Sequence, residues 1–200
     1  MQSIKDKVLS RIYGKKRGWV FTPGHFRDLG NDLAIRKALQ NLTDREQIQR
    51  LARGLYHYPK EHPKLGVLAP TPDQIARALA GKDSLRIQPS GDYAANLLGL
   101  TEQVPAKVVF LTDGTTRGIK VGNQEIVLKQ TTPKNMATAG RVSGLVIQAL
   151  RSLGKDHVDD QLIATLADRL SADDRRHLMN DIRYAPAWIG AIFRQLAKED

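Results

Sequence analysis

The sequence contains no cysteine, which excludes disulfide bonds, thiolate metal ligands and cysteine nucleophiles. Aromatic residues make up only 6% of the chain. No apolar run approaches the roughly 18 residues that a membrane-spanning helix needs. The N-terminus is too polar for a secretory signal peptide. We therefore expect a protein without membrane contact that acts in the cytoplasm.

Groupings typical of catalytic or metal sites are also lacking. The five histidines show no ligand spacing on one helix face, and the acidic residues after His157 are typical of a helix start. The run Asp113-Gly114-Thr115-Thr116 has no glycine-rich lysine loop around it and indicates a turn. No nucleophile, base and orienting group can be combined from the sequence. We predict a protein that is not an enzyme, with no catalytic residue, metal or cofactor.

Acidic residues are scarce in the first third of the chain. Residues 1–64 contain 14 lysines and arginines against 6 aspartates and glutamates, whereas residues 65–200 contain 17 and 15. Most of the net charge of +10 therefore belongs to the first 64 residues. Such a local bias is expected of a module that binds a polyanion, although a solubilising surface would have the same composition.

Three short helices are predicted within this basic segment. Ser3 is a suitable N-cap for the first, and Thr22 followed by proline marks the start of the second, at about residues 23–29. Asn31 or Asp32 can cap the third, in which apolar residues recur at helical spacing. Those apolar residues are Ile35, Ala38, Leu39 and Leu42.

A β-hairpin is predicted to follow over residues 47–58, with its turn at Arg53-Gly54, because glycine supplies the positive φ of tight turns. Three helices and then a hairpin form the order of a winged helix-turn-helix. In that motif the third helix can enter the major groove, and the hairpin touches the adjacent backbone.

The outward face of the third helix carries residue types that suit base edges, since Arg reads guanine and Gln or Asn reads adenine. Cations of the loop after the first helix and of the hairpin are better suited to phosphates. Taken alone, such a helix face is also compatible with ordinary solvation. The residues predicted to contact DNA are Lys15, Lys16, Arg17, Thr22, Arg36, Lys37, Gln40, Asn41, Arg50 and Arg53.

Prolines between residues 59 and 72 mark a boundary or linker. Both helices and strands are predicted beyond it. A helix at 72–80 and a strand near 85–87 precede a helix at 93–98. Strands near 107–111, 118–121 and 125–129 would form a small antiparallel sheet. Helices are expected at 135–153, 158–170, 172–182 and 186–197.

The predicted fold class is α+β, with an N-terminal winged helix-turn-helix at residues 1–64. A second domain, at residues 65–200, would hold a small antiparallel sheet and several helices. Tyr184, Trp188 and Phe193 are candidates for a protein interface, although burial within their own domain is an alternative.

Four segments resemble AbiEi-type antitoxins of bacterial type IV toxin-antitoxin systems. The run Arg50-Leu-Ala-Arg-Gly-Leu-Tyr-His-Tyr-Pro59 resembles the wing of that family. The runs Pro89–Leu100, Val109–Gly114 and Asn135–Gly140 resemble the domain that follows in one branch of it.

The resemblance implies a repressor that binds inverted repeats in its own promoter through the winged helix. It also implies that the second domain serves to neutralise a nucleotidyltransferase-like toxin encoded nearby. The family has no catalytic residues to carry over, and its operator-reading residues vary. The assignments of Arg36, Lys37, Gln40 and Asn41 therefore rest on the helical wheel.

Two other functions remain open at this stage. An RNA-binding or ribosome-associated protein would have the same basic charge. Tyr56 and Tyr58 could stack on RNA bases, but alternate aromatics in a strand are more typical of packing against a helix. An enzyme of unrecognised type would need a pocket that groups several titratable side chains.

Overall fold

The computed structural model describes residues 3–81 and 85–198, so Met1 and Gln2 lie outside the described residues. It confirms the predicted α+β class, with several helices and small sheets. The chain divides into two compact units. The first comprises the described residues up to Leu85 together with Ile119–Asn123, and the second comprises Arg86–Gly118 and the described residues from Gln124. Among the described residues, no helix is long and apolar enough to cross a membrane.

The predicted helices of the first unit are present. Helix α1, Ile4–Gly14, begins where the Ser3 hydroxyl accepts a hydrogen bond from the Asp6 N–H. Pro23–Leu29 is a 3₁₀ helix. Helix α2, Asp32–Asp44, is capped by Asn31, whose side chain accepts from the Ala34 N–H. The starts of α1 and α2 each use a side-chain oxygen to satisfy a backbone donor that has no partner within the helix.

A three-stranded antiparallel sheet joins these helices. Its strands are β1 (Val20–Phe21), β2 (Gln49–Ala52) and β3 (Leu55–His57), in the order β1-β3-β2. The helices and one face of the sheet enclose an aromatic-rich core, in which Phe21 stacks on Tyr56 with ring centroids 6.0 Å apart. The four apolar residues predicted to face inward from α2 are all buried.

The first unit continues past the boundary predicted after residue 64. The proline-rich segment there is not a plain linker, because it contains strands β4 (Lys60–His62) and β5 (Gly66–Leu68), which pair with each other. Helix α3, Pro72–Ala80, then packs beside β1. The Gln74 Nε2 donates to the Gly18 carbonyl at 3.1 Å and fixes that contact.

A four-stranded sheet follows, and it belongs to the second unit except for residues 119–121 of one edge strand, which fall in the first. Its strands are β6 (Ile87–Ser90), β7 (Lys107–Thr112), β8 (Arg117–Val121) and β9 (Gln124–Gln130), in the order β6-β7-β9-β8. Helix α4, Asp92–Leu97, follows β6. The β7–β9 pair is parallel, which differs from the wholly antiparallel sheet expected. The reason is that β9, not β8, lies beside β7.

Five further helices follow in the second unit: α5 (Pro133–Met136), α6 (Val142–Leu153), α7 (Asp160–Arg169), α8 (Ala172–Asn180) and α9 (Ala187–Leu196). The single helix predicted over 135–153 is interrupted, because Gly140 has a φ of 79° and Arg141 is extended. Val146 and Leu150 of α6 are buried. Phe193 is fully buried, while Tyr184 and Trp188 are partly buried against the same core.

Candidate nucleic-acid interface

The face of α2 opposite the core is exposed. Arg36, Lys37, Gln40 and Asn41 all lie on it. Gln40 is not wholly available, because its Nε2 donates to the Asp44 Oδ1 at 2.7 Å. The structure therefore places all four predicted base readers on one solvent-facing surface, with one of them already hydrogen-bonded.

Leu33 lies at the N-terminal end of the same helix. Its side chain is 80% exposed, which makes it a large apolar group in full contact with water. A single exposed leucine is common on protein surfaces. Its neighbours on the outward face of α2 are polar or cationic, so the end of the helix presents an apolar group beside charges.

The predicted hairpin is formed by β2 and β3, with its turn at Arg53-Gly54, and Gly54 has a φ of 76°. Arg50 and Arg53 are both exposed. The hairpin turn thus presents two cations to solvent.

The tyrosines of the hairpin region pack, as the alternate spacing predicts. Tyr56 is buried against Phe21, and Tyr58 lies 5.6 Å from Tyr13 between ring centroids. Neither ring is presented as an open stacking platform for a base.

Thr22 lies between β1 and the 3₁₀ helix. Because Phe21 pairs with Tyr56, the chain reaches Thr22 at the end of β3 nearest the hairpin turn. The Thr22 N–H donates to the Nδ1 of His25 at 3.1 Å, and the Thr22 hydroxyl lies 3.1 Å from the same nitrogen. Thr22 therefore starts the helix near the hairpin turn with its polar groups already engaged by His25.

The loop after α1 lies at the other end of β3. The Gly18 N–H donates to the Tyr58 carbonyl at 2.7 Å, which sets Lys15, Lys16 and Arg17 beyond the end of the strand that is farthest from the turn. Tyr58 lies four positions along the chain from Gly54, or roughly 13 Å in an extended strand. The loop cations therefore lie at the opposite end of β3 from the Arg53-Gly54 turn.

A cleft of about 350 Å³ adjoins this loop. Lys15, Arg17 and Trp19 line it together with Gln74 and Arg77 of α3. Sequence reasoning did not find Gln74 and Arg77, because α3 was expected in a different domain.

His57 is a buried titratable group in the centre of the sheet. It is 1% exposed, and its Nδ1 has no hydrogen-bond partner among the described residues. Burial lowers the pKa of His57, because the surroundings disfavour the charged ring. In the described ranges, no group of three or more His, Asp or Glu side chains is placed to hold a metal ion.

Three segments of the second unit, Pro89–Leu100, Val109–Gly114 and Asn135–Gly140, come together in space. Pro89 and Ser90 of β6 pair with Phe110 and Val109 of β7. The Gly140 N–H donates to the Oε1 of Gln88, next to that pair, at 3.1 Å. Segments separated by many residues in the sequence are thus neighbours in one sheet-and-helix assembly.

No curated protein matches the sequence. Residues 7–178, most of the chain, match the model of a family described as "Family of unknown function (DUF6088)". The chain therefore belongs to the DUF6088 family.

Proposed function

We propose that this protein is a sequence-specific DNA-binding regulator and that its first unit acts as a winged helix-turn-helix. The observation that carries the proposal is α2, whose apolar stripe is wholly buried while Arg36, Lys37, Gln40 and Asn41 face solvent. These residue types suit base edges, and the basic excess of residues 1–64 favours contact with DNA over ordinary solvation of this face.

In the proposed complex α2 enters the major groove with its N-terminal end foremost. Arg36 and Lys37 can donate to guanine, and Asn41 can pair with adenine. Leu33, exposed at the end that enters first, is suited to a thymine methyl group. Arg50 and Arg53 then contact the flanking phosphates and contribute affinity with little sequence preference.

Gln40 has a more specific role in this arrangement. Its Nε2 is held by Asp44, so its Oε1 is directed for accepting a hydrogen bond. Paired recognition of adenine would use both atoms and would require the Asp44 contact to break. If Gln40 only accepts a hydrogen bond through its Oε1, its bond to Asp44 stays intact.

We also propose that the protein acts in the cytoplasm as an antitoxin. In this role it represses its own operon at promoter inverted repeats and neutralises a nucleotidyltransferase-like toxin. This part of the proposal is supported by the segments that resemble AbiEi-type proteins and lie together in the second unit. The second unit would carry the neutralising activity, since the base-reading face belongs to the first.

The DNA-binding proposal is tested by competition between the duplex upstream of the gene and a structured RNA of equal length. The full chain should bind the duplex more tightly, and Arg36→Ala should reduce that preference among duplex sequences. Stronger binding to the RNA would overturn the proposal and favour an RNA-binding protein. Equal binding to all duplexes would overturn sequence specificity.

The antitoxin role is tested in cells that express the nucleotidyltransferase encoded beside this gene. The full chain should restore growth, whereas a chain that ends at residue 85 should bind the promoter and fail to restore growth. This shortened chain lacks Ile119–Asn123 of the first unit, so circular dichroism must first show that it folds. Rescue by the shortened chain, or no rescue by the full chain, would contradict the proposed role of the second unit.

A further inference from the structure

The cleft in the first unit has walls from four parts of the chain. They are the loop after α1, strand β1, the 3₁₀ helix and α3, and together they enclose about 350 Å³. Lys15, Arg17 and Arg77 supply positive charge, and Trp19 and His25 supply aromatic rings. We propose that this cleft binds a small phosphorylated organic ligand of mononucleotide size.

The charge of the cleft favours an anion. None of its lining residues is a carboxylate. In the described part of the chain, neither Lys15 nor Arg77 forms an ion pair. Cations held around one recess repel one another, and a dianion placed between them would replace that repulsion with attraction.

Arg17 is already oriented for such a ligand. Its guanidinium lies over the Tyr58 ring, 5.1 Å from the centroid, and its Nη1 donates to the Pro59 carbonyl at 3.2 Å. Its other N–H groups have no acceptor among the described residues, so they can meet a bound ligand. A planar guanidinium held in this way matches the geometry of a phosphate and loses little side-chain entropy on binding.

The rest of the lining suits an organic group more than a bare ion. Trp19, Val20 and Ala78 give the cleft an apolar wall. The indole of Trp19 is held in place, because it stacks on Phe21 with centroids 4.5 Å apart and meets the edge of His25 at 5.6 Å. Pockets that combine an apolar wall with a few polar groups are typical of small-molecule sites.

The size and position of the cleft separate this ligand from duplex DNA. Its volume lies near the lower end of the range of about 300–1,000 Å³ that is usual for ligand pockets. The cleft adjoins the loop beyond the end of β3 that lies opposite the Arg53-Gly54 turn, away from the proposed phosphate contacts of the hairpin turn. The inference does not depend on the proposed DNA binding.

The test uses the full chain with Trp188→Phe, in which Trp19 is the sole remaining tryptophan. Adenosine 5′-monophosphate and inorganic phosphate are titrated at constant ionic strength, with Trp19 fluorescence and calorimetry as readouts. The nucleotide should change the Trp19 emission and bind with a Kd of about 1 mM or tighter, and phosphate should bind more weakly.

Arg77→Gln should weaken nucleotide binding by about tenfold or more, since a charge-assisted hydrogen bond is lost. Arg77→Lys should recover part of it. Arg27→Gln is the matched control, because Arg27 is exposed in the same unit but does not line the cleft. Thermal unfolding shows whether each variant is folded.

Absence of nucleotide binding in the folded parent chain would overturn the proposal, as would equal affinity in the Arg77→Gln variant. Equal affinity for phosphate and nucleotide would overturn the assigned ligand class and leave an anion site. DNA is absent from the assay, so these outcomes do not depend on whether the protein binds a promoter.

Discussion

At the scale of single residues, cations on the α2 face and in the hairpin turn are expected to have different roles in the proposed complex. Arg36 lies on the α2 face, while Arg53 lies in the hairpin turn. Arg36→Ala should reduce discrimination between operator variants by about 1–3 kcal/mol per base pair read. Arg53→Ala should weaken binding to every duplex alike, because a phosphate contact is independent of sequence.

Electrophoretic or anisotropy measurements on a set of single-base operator variants would separate these effects. Arg27→Gln again controls for loss of charge from the same unit. If Arg36→Ala and Arg53→Ala lowered affinity by the same factor on every variant, α2 would not be the element that reads bases.

Leu33 provides a second residue-scale prediction. Its exposed side chain at the start of α2 is expected to pack on a thymine methyl group. Leu33→Ala should therefore lower affinity for the best operator. This loss should vanish when the contacted thymine is replaced by uracil, which lacks the methyl group. A loss that persisted equally with uracil at every position would exclude this contact.

His57 makes the stability of the first unit depend on pH. Its pKa is lowered by burial, so the unfolded chain takes up a proton near its ordinary pKa of about 6.5 while the folded chain does not. The contribution of His57 to the free energy of unfolding is therefore complete above pH 6.5. As the pH falls below 6.5, this contribution decreases by up to about 1.4 kcal/mol per pH unit. His57→Leu should remove this slope.

Urea unfolding at pH 7.5 and 5.5, followed through Trp19 in the Trp188→Phe chain, would measure this dependence. His62→Gln is the control, because His62 is an exposed histidine of the same unit and should leave the slope in place. The same loss of stability on acidification in the parent chain and in His57→Leu would contradict the prediction.

At the scale of secondary-structure elements, the sequence predicts best what depends on neighbouring residues. The helix starts at Ser3 and Asn31 follow from side chains that cap within three residues. The hairpin turn follows from one glycine. The parallel pairing of β7 with β9 could not be predicted in this way, because strand order depends on contacts across the whole sheet.

The start of α6 provides a test of close packing in the second unit. A Cβ on Gly144 would meet the Thr138 carbonyl and would lie 2.7 Å from the Gln88 Oε1, which is too close. Gly144→Ala should therefore destabilise the second unit by roughly 1–3 kcal/mol, as overpacking does. Urea unfolding followed through Trp188, with Trp19 replaced by phenylalanine, measures the effect.

Gly14→Ala is the matched control, because a Cβ there meets no atom within 4 Å. It should stabilise α1 by up to about 1 kcal/mol, since alanine is the better helix former. If the second unit unfolded at the same urea concentration with and without Gly144→Ala, the prediction would be wrong. The backbone near residue 144 would then move to accommodate the Cβ.

At the scale of the whole molecule, the division of charge was predictable and the division of the chain was not. The basic excess of residues 1–64 is a matter of counting. The continuation of the first unit through α3 depends on a contact between Gln74 and Gly18, which are 56 positions apart. The same limit applies to the cleft, since Lys15 and Arg77 meet only when α3 is placed beside β1.

Cations of the hairpin and cations of the loop after α1 should also differ in how they make DNA binding depend on salt. Each phosphate contact contributes about 0.9 to the slope of log affinity against log salt concentration, because binding releases condensed counterions. The double variant Arg50→Gln/Arg53→Gln should therefore flatten the slope by about 1.8. Lys15→Gln/Arg17→Gln removes the same charge from the other end of the sheet and should leave the slope nearly unchanged, although it lowers nucleotide binding. Anisotropy titrations of a promoter duplex at 50–300 mM potassium chloride would measure both slopes, and equal flattening by the two double variants would show that the loop after α1 also contacts the DNA backbone.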